Sequence, residues 1–285
     1  MTSNLDERRS IAIKADQCFS KTRLRDEFRM KPANGVEPVK WFKNEFGKSY
    51  GIYRIAECVP MRPKRDATDK QKSAGVRLGI LSKLRSDEGR KATIAYELLQ
   101  RNPLFLDTET TGLGPTAEAI EIGLVDAKEE IIYTVYLKPT IAIEAGATAV
   151  HGLQQSDVSQ APSWPQIVSQ LREAIGTRPL IIFNAPFDIR ILKQTAAAHG
   201  DPATWLDELE VHCAMKLAAG YFGATNRYGG ISLFDAAYKA GVEWIDKAHS
   251  ASEDARVTAA VINHIADYYE ELQSRLALLN DLGKV

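Results

Sequence analysis

Two carboxylates at spacing two are the first residues in this chain that could do chemistry. In Leu104-Phe105-Leu106-Asp107-Thr108-Glu109 an apolar run passes directly into acids. Asn102-Pro103 before it and Gly112, Gly114 and Pro115 after it bound the run as a strand. Side chains alternate along a strand, so Asp107 and Glu109 share one face, about 6.6 Å apart along it. Like charges at that range raise one another's pKa unless a cation lies between them, and hard carboxylate oxygens suit Mg2+ or Mn2+. The alternative is a strand that stops at Leu106 and leaves both acids as solvated turn residues.

Two further stretches carry acids in places that ask for a reason. In Asn184-Ala185-Pro186-Phe187-Asp188 a hydrophobic strand stops and Pro186 is placed to open a helix, which puts Asp188 in the first turn. There it either complements the helix dipole or does chemistry. In His249-Ser250-Ala251-Ser252-Glu253-Asp254, Ser250 and Glu253 fit a capping box, which gives Glu253 a structural task and leaves Asp254 without one. At about 100° per residue Asp254 shares a stripe with Thr258, Val261, Ile265, Tyr268 and Leu272, the core side of an amphipathic helix. A core-facing acid needs a partner, and a shared cation is one.

The elements that must position these groups are legible around them. Ala119 to Val125 and Ile131 to Leu137 read as two more strands, linked by polar Asp126 to Glu130, so an antiparallel meander is expected. Residues 164–175 have helical apolar spacing, and Pro179 to Asn184 reads as a buried strand. Upstream, 67–84 and 86–101 read as helices leading into the catalytic strand. The sum is a mixed α/β sheet with helices on its faces.

Together the three acidic stretches resemble the DEDDh exonucleases, which include the proofreading subunit of bacterial replicative polymerases, ribonuclease T, oligoribonuclease and exonuclease X. Asp107-Thr108-Glu109 stands for the first motif, Asp188 for the second, and His249 to Asp254, with the spacing His-x-Ala-x-x-Asp, for the third. Three motifs in order are a specific signal, where any one is weak. The similarity spans about residues 103 to 272 and implies a ribonuclease H-like fold with a five-stranded mixed sheet. It further implies a 3'-to-5' exonuclease releasing nucleoside 5'-monophosphates, with two divalent cations, Mg2+ or Mn2+, on Asp107, Glu109, Asp188 and Asp254. His249 is then the base; imidazole, with an ordinary pKa of about 6.5, suits that work near neutrality. Thr110, Thr111, Gly112 and Leu113 follow the metal pair, where glycine admits close backbone approach and leucine can wedge against a terminal base. Phe187 can stack or be core, and His151 resembles a family element near the substrate. The Thr-Thr-Gly-Leu segment inclines the substrate toward single-stranded or frayed DNA ends over RNA. Two other readings are an exoribonuclease or an editing subunit of a polymerase or repair assembly. A non-catalytic adaptor is disfavoured because no motif acid is missing.

Composition is that of an ordinary folded protein, 45% hydrophobic and 26% charged, without an apolar run long enough to span a membrane. No secretory signal opens it, so a cytoplasmic location is expected. Cys18, Cys58 and Cys213 are scattered, which supports neither a disulfide framework nor a zinc site.

The net charge of −1 hides an asymmetry: residues 1–100 hold 22 Lys and Arg against 13 Asp and Glu, and residues 101–285 hold 14 against 24. Basic and acidic halves hint at a nucleic-acid partner. We therefore expect a basic extension over 1–66, a helical connector over 67–101 and the exonuclease domain over 102–285. The extension is expected to meet nucleic acid or a protein partner. Charge so outweighs apolar groups over 1–37 that loose order is expected there, and Met61 to Arg65 reads as a basic linker. Between Val39 and Val59, Trp41, Phe42, Phe46, Tyr50 and Tyr53 alternate with Lys40, Lys43, Lys48 and Arg54. Such a pattern is either a small core with a wet basic face or a stacking platform for bases.

Overall fold

The computed structural model describes residues 3–62, 66–244 and 249–282 and comprises two compact units, Met1–Thr68 and Asp69–Val285. The first unit contains α1 (Ser3–Lys14), β1 (Cys18–Ser20), α2 (Lys21–Phe28), β2 (Met30–Pro32), β3 (Lys40–Lys43), β4 (Ser49–Arg54) and β5 (Cys58–Pro60). Residues 3–37 are therefore structured rather than loose. The few apolar groups there are spaced to converge, Ala12, Phe19, Leu24, Phe28 and Met30 closing a core with Tyr53, Ile55 and Cys58. Ser20 caps α2 by accepting from the Arg23 amide at 3.3 Å, and Arg29, in the left-handed region, ends it. Of the expected basic linker, Pro63, Lys64 and Arg65 lie outside the described residues.

The second unit begins with α3 (Asp69–Arg85) and α4 (Asp87–Leu99), divided at Ser86, whose hydroxyl accepts from the Gly89 amide at 3.1 Å. Then come β6 (Leu104–Thr110), β7 (Ala119–Asp126), β8 (Ile131–Tyr136), α5 (Ala145–His151), α6 (Gln155–Val158), α7 (Trp164–Ile175) and β9 (Leu180–Ile182). The chain continues with α8 (Ala185–Ala198), β10 (Val211–Cys213), α9 (Ala214–Phe222), α10 (Leu233–Ala240) and α11 (Ala251–Leu282). The sheet order is β10-β9-β6-β7-β8, antiparallel within β6-β7-β8 and parallel across β6, β9 and β10. This is the mixed five-stranded, helix-flanked sheet expected from the ribonuclease H-like resemblance.

Alternation along β6 divides the interior. Phe105, with Val125 and Ile181, faces a core built from α4, α9, α10 and α11. Leu104 and Leu106, with Ile122 and Leu124, face a second core built from α7 and α8, where Trp164 and Leu171 are fully buried. Residues of β6 at odd positions thus look toward α11, and those at even positions toward α8. Among the described residues no helix is long and apolar enough to cross a membrane.

Candidate active site

β6 outlasts its neighbour. Leu104–Leu106 pair with Leu180–Ile182 of β9, and from Asp107 to Thr110 only β7 remains alongside. The acids lie on this one-sided extension, at the carboxyl ends of the parallel strands, where α/β sheets open crevices. β9 ends because Asn184 adopts φ 70° and ψ 48°, a left-handed turn that asparagine tolerates better than most residues. Pro186 then starts α8, and Asp188 is buried in its first turn. Thr108 faces the α8 side, and its hydroxyl donates a 2.8 Å hydrogen bond to Asp188 Oδ1.

From the other face comes α11. Gly123 is the cross-strand partner of Asp107, and it has the backbone of Ala251 and Ser252 directly above it. Without a side chain there, the first turn of α11 rests on β7. Glu121, the cross-strand partner of Glu109, accepts from the Ala251 amide at 3.2 Å. Asp254 is thereby brought over the sheet. His249 precedes the helix with φ 79°, a strained value for a residue with a side chain. Its amide donates to Asp254 Oδ1 at 3.4 Å, and its Nδ1 lies 4.0 Å from Asp254 Oδ2. Ligand atoms of Glu109, His249 and Asp254 all fall within 4.8 Å of one another.

Electrostatics follow from this crowding. Burial, and then the charges of Asp188, Asp254, Glu109 and Glu121, push the Asp107 carboxyl well above the usual range. Burial first, followed by Asp254, Glu121 and Asp188, lifts Glu109 to about 8. Asp188 is lifted to about 7 by burial, against the lowering effect of the Thr108 hydroxyl. Asp254 and Glu121 are also raised, chiefly by burial. Five carboxyl groups oppose one another here, a donor set of hard oxygens that a divalent cation would relieve.

The expected capping box is not what forms. The Ser250 hydroxyl lies 3.2 Å from that of Ser252, and both carboxylate oxygens of Glu253 engage Arg256, which also reaches Glu129 at 2.9 Å. A guanidinium fork offers two charge-assisted bonds where the cap offers one.

Among the softer positions, Thr110 Oγ1 donates to the Gly112 carbonyl at 2.8 Å, and Thr111 Oγ1 accepts from the Glu118 amide at 3.0 Å. Both hydroxyls shape the turn after β6. Gly112 leaves room for the Glu144 carboxylate, into which a Cβ would run. Leu113 is 76% exposed, its side chain free at the mouth of the turn. Both ring nitrogens of His151 are engaged: Nδ1 accepts from the Leu153 amide at 3.0 Å, so Nε2 carries the proton donated to the Thr110 carbonyl at 3.1 Å. Burial lowers its pKa, with the nearby His249 adding to the effect. Phe187 is half-buried, with the Arg190 guanidinium 5.2 Å from its ring centre.

Residues 104–262 match the family model described as exonuclease, RNase T. The chain belongs to this exonuclease family. It is 38% identical over 178 residues to uncharacterized exonuclease CP81 of Escherichia phage 186, covering 60% of this chain and 92% of the phage protein. It is 51% identical over 121 residues to uncharacterized protein pSLT049 of Salmonella typhimurium, covering 42% of this chain and 88% of that protein. The fold is also that of a 3'-exonuclease solved for 3'-end specific recognition of histone mRNA stem-loop, at TM-score 0.50 and 15% identity, covering 59% of this chain and 64% of that one.

Three further residues shape the candidate site: Glu121, Thr108 and Gly123. Glu121 was legible as the lone acid inside the apolar run Ala119 to Val125. Thr108 and Gly123 carried no signal of their own, since their parts depend on a helix from each face of the sheet.

Proposed function

We propose that the second unit is a metal-dependent 3'-to-5' exonuclease that hydrolyses phosphodiester bonds at nucleic-acid 3'-ends, DNA before RNA, and releases nucleoside 5'-monophosphates. The observation that carries this reading is the meeting of Asp107, Glu109, Asp188 and Asp254, drawn from three distant stretches, with His249 beside them. The oxygen-only carboxylate set and its mutual repulsion fit two Mg2+ or Mn2+ ions on these four residues. Such ions, when bound, would stabilise negative charge on the scissile phosphate.

The rest is done by the chain's own groups. His249 takes the proton of the attacking water, its backbone amide held by Asp254 Oδ1. Thr108 favours the anionic form of Asp188 by donating to it, against the effect of burial. Exposed Leu113 receives the terminal nucleotide, and the His151 bond to the Thr110 carbonyl keeps the turn before it in place. The preference for DNA rests on the likeness of Thr110 to Leu113 to the family's segment.

Digestion of 3'-labelled DNA and RNA oligonucleotides with Mg2+ or Mn2+ tests the proposal. Wild type should release nucleoside 5'-monophosphates, faster from DNA, and Asp107→Ala should release none. Equal degradation by both proteins, or none by either, would defeat it.

A further inference from the structure

The first unit carries a surface that the catalytic reading does not use. β1, β4 and β3 form a three-stranded antiparallel sheet in that order. Its register puts Phe19, Trp41, Gly51 and Tyr53 on one face and Lys40, Phe42, Tyr50, Ile52 and Arg54 on the other. Phe19 and Tyr53 are buried in the core, so the second face looks outward. Phe42 and Tyr50 are direct cross-strand partners with stacked rings, centroids 6.0 Å apart and planes 26° from parallel. They are 39% and 43% exposed. Lys40 Nζ lies 5.1 Å from the Phe42 ring centre, and Arg54, bridged to Asp16 at 3.0 Å, stands at the far edge.

Two more exposed aromatics lie on the same hairpin, Trp41 on its opposite face and Phe46 in its turn. Trp41 is 61% exposed, and a cleft of about 490 Å³ runs between it, Asn44, Tyr50 and Lys21. Phe46 projects from the β3–β4 turn, which Asn44 holds by accepting from the Phe46 and Lys48 amides. Large apolar groups left in water on a folded unit mark an interaction surface. Their setting selects the partner. Residues 1–68 hold 15 Lys and Arg against nine Asp and Glu. Among the described residues Lys40, Lys43 and Lys48 take part in no ion pair. Flat rings interleaved with cations outside any ion pair suit bases and phosphates, which offer stacking faces and negative charge at a regular interval.

We propose that the outward face of this sheet is a stacking platform for single-stranded nucleic acid, with Phe42 and Tyr50 under the bases and Lys40 and Lys48 along the phosphates. The platform deepens the proposed exonuclease function, resting on it for the choice of a nucleic acid as partner, and it supplies contacts without sequence preference, because every base has a π-face.

The test uses the full chain in EDTA, with anisotropy of a fluorescein-labelled oligothymidylate of about 16 nucleotides. Phe42→Ala/Tyr50→Ala should bind it about tenfold or more weakly than wild type. In Lys40→Gln/Lys48→Gln, whose exposed positions spare the fold, the slope of log affinity on log salt should flatten by about 1.4. Both variants should match wild type in hydrolysing the p-nitrophenyl ester of thymidine 5'-monophosphate with Mn2+, a substrate too short to reach beyond one site. Failure of wild type to cleave this ester would count against the exonuclease reading while the binding comparison still decides the platform. Unchanged oligonucleotide affinity and salt slope in both variants, or no binding by wild type, would overturn the platform and leave the face to a protein partner.

Discussion

Gly123 lies so close to Ser252 that a Cβ added to the glycine would come within 2.6 Å of Ser252 Cα. Because Gly123 is also the cross-strand partner of Asp107, this is where helix α11 docks against the acidic strand. Gly123→Ala should push the first turn of α11 outward and carry His249 and Asp254 with it. A displacement near 1 Å costs about a hundredfold in rate, so kcat/KM on a DNA oligonucleotide should fall by that order while circular dichroism stays native. Wild-type activity in a folded Gly123→Ala would remove the glycine from this role.

Thr108→Val removes the hydroxyl that holds Asp188 down. The Asp188 pKa, already lifted to about 7, should then rise further, so more of it is protonated at neutrality. Activity should drop most at pH 6 to 7 and recover toward pH 9, seen as an alkaline shift of the acid limb of the pH–rate profile. A uniform loss at every pH would instead indicate a packing defect.

The metal-free protein should lose stability as pH rises. Glu109 at about 8 and Asp188 at about 7 lie above their ordinary values, so between about pH 4 and 8 the folded state binds more protons than the unfolded one. Stability from these groups is present at low pH and lost as pH climbs through the folded values. In EDTA the melting temperature should fall between pH 5.5 and 8.5, on the order of several degrees. Mn2+ should restore it, most strongly at the alkaline end. Asp188→Asn should flatten the trend.

His249→Ala should lower kcat by about 10²- to 10⁴-fold, the usual worth of a positioned base. Mn2+ affinity should stay close to wild type, because the four carboxylates remain. Stopped-flow single turnovers separate the two effects.

How much of this was legible beforehand depended on locality. The strand bearing Asp107 and Glu109, the helix start at Pro186 and the stripe shared by Asp254 are local patterns, and each element is found within a few residues of its expected limits. β10 escaped notice because Val211-His212-Cys213 is only three residues long and owes its place to pairing with β9. The order of residues 3–37 escaped because Phe19, Leu24 and Phe28 look isolated among charges until Tyr53 and Ile55 arrive from later strands. At the site, Asp188 and Asp254 reach the acidic strand from opposite faces of the sheet, a relation no spacing expresses. Thr108, facing α8, and Gly123, under α11, take their meaning from that crossing.

Isothermal titration of the metal-free chain with Mn2+ at pH 8, in buffers of differing ionisation enthalpy, tests the convergence of the four carboxylates most directly. If Asp107, Glu109, Asp188 and Asp254 form one cage, wild type should bind about two ions and release protons as it does so. Asp107→Asn and Asp254→Asn should each weaken binding steeply. Binding unaltered by either substitution, or none in wild type, would contradict it.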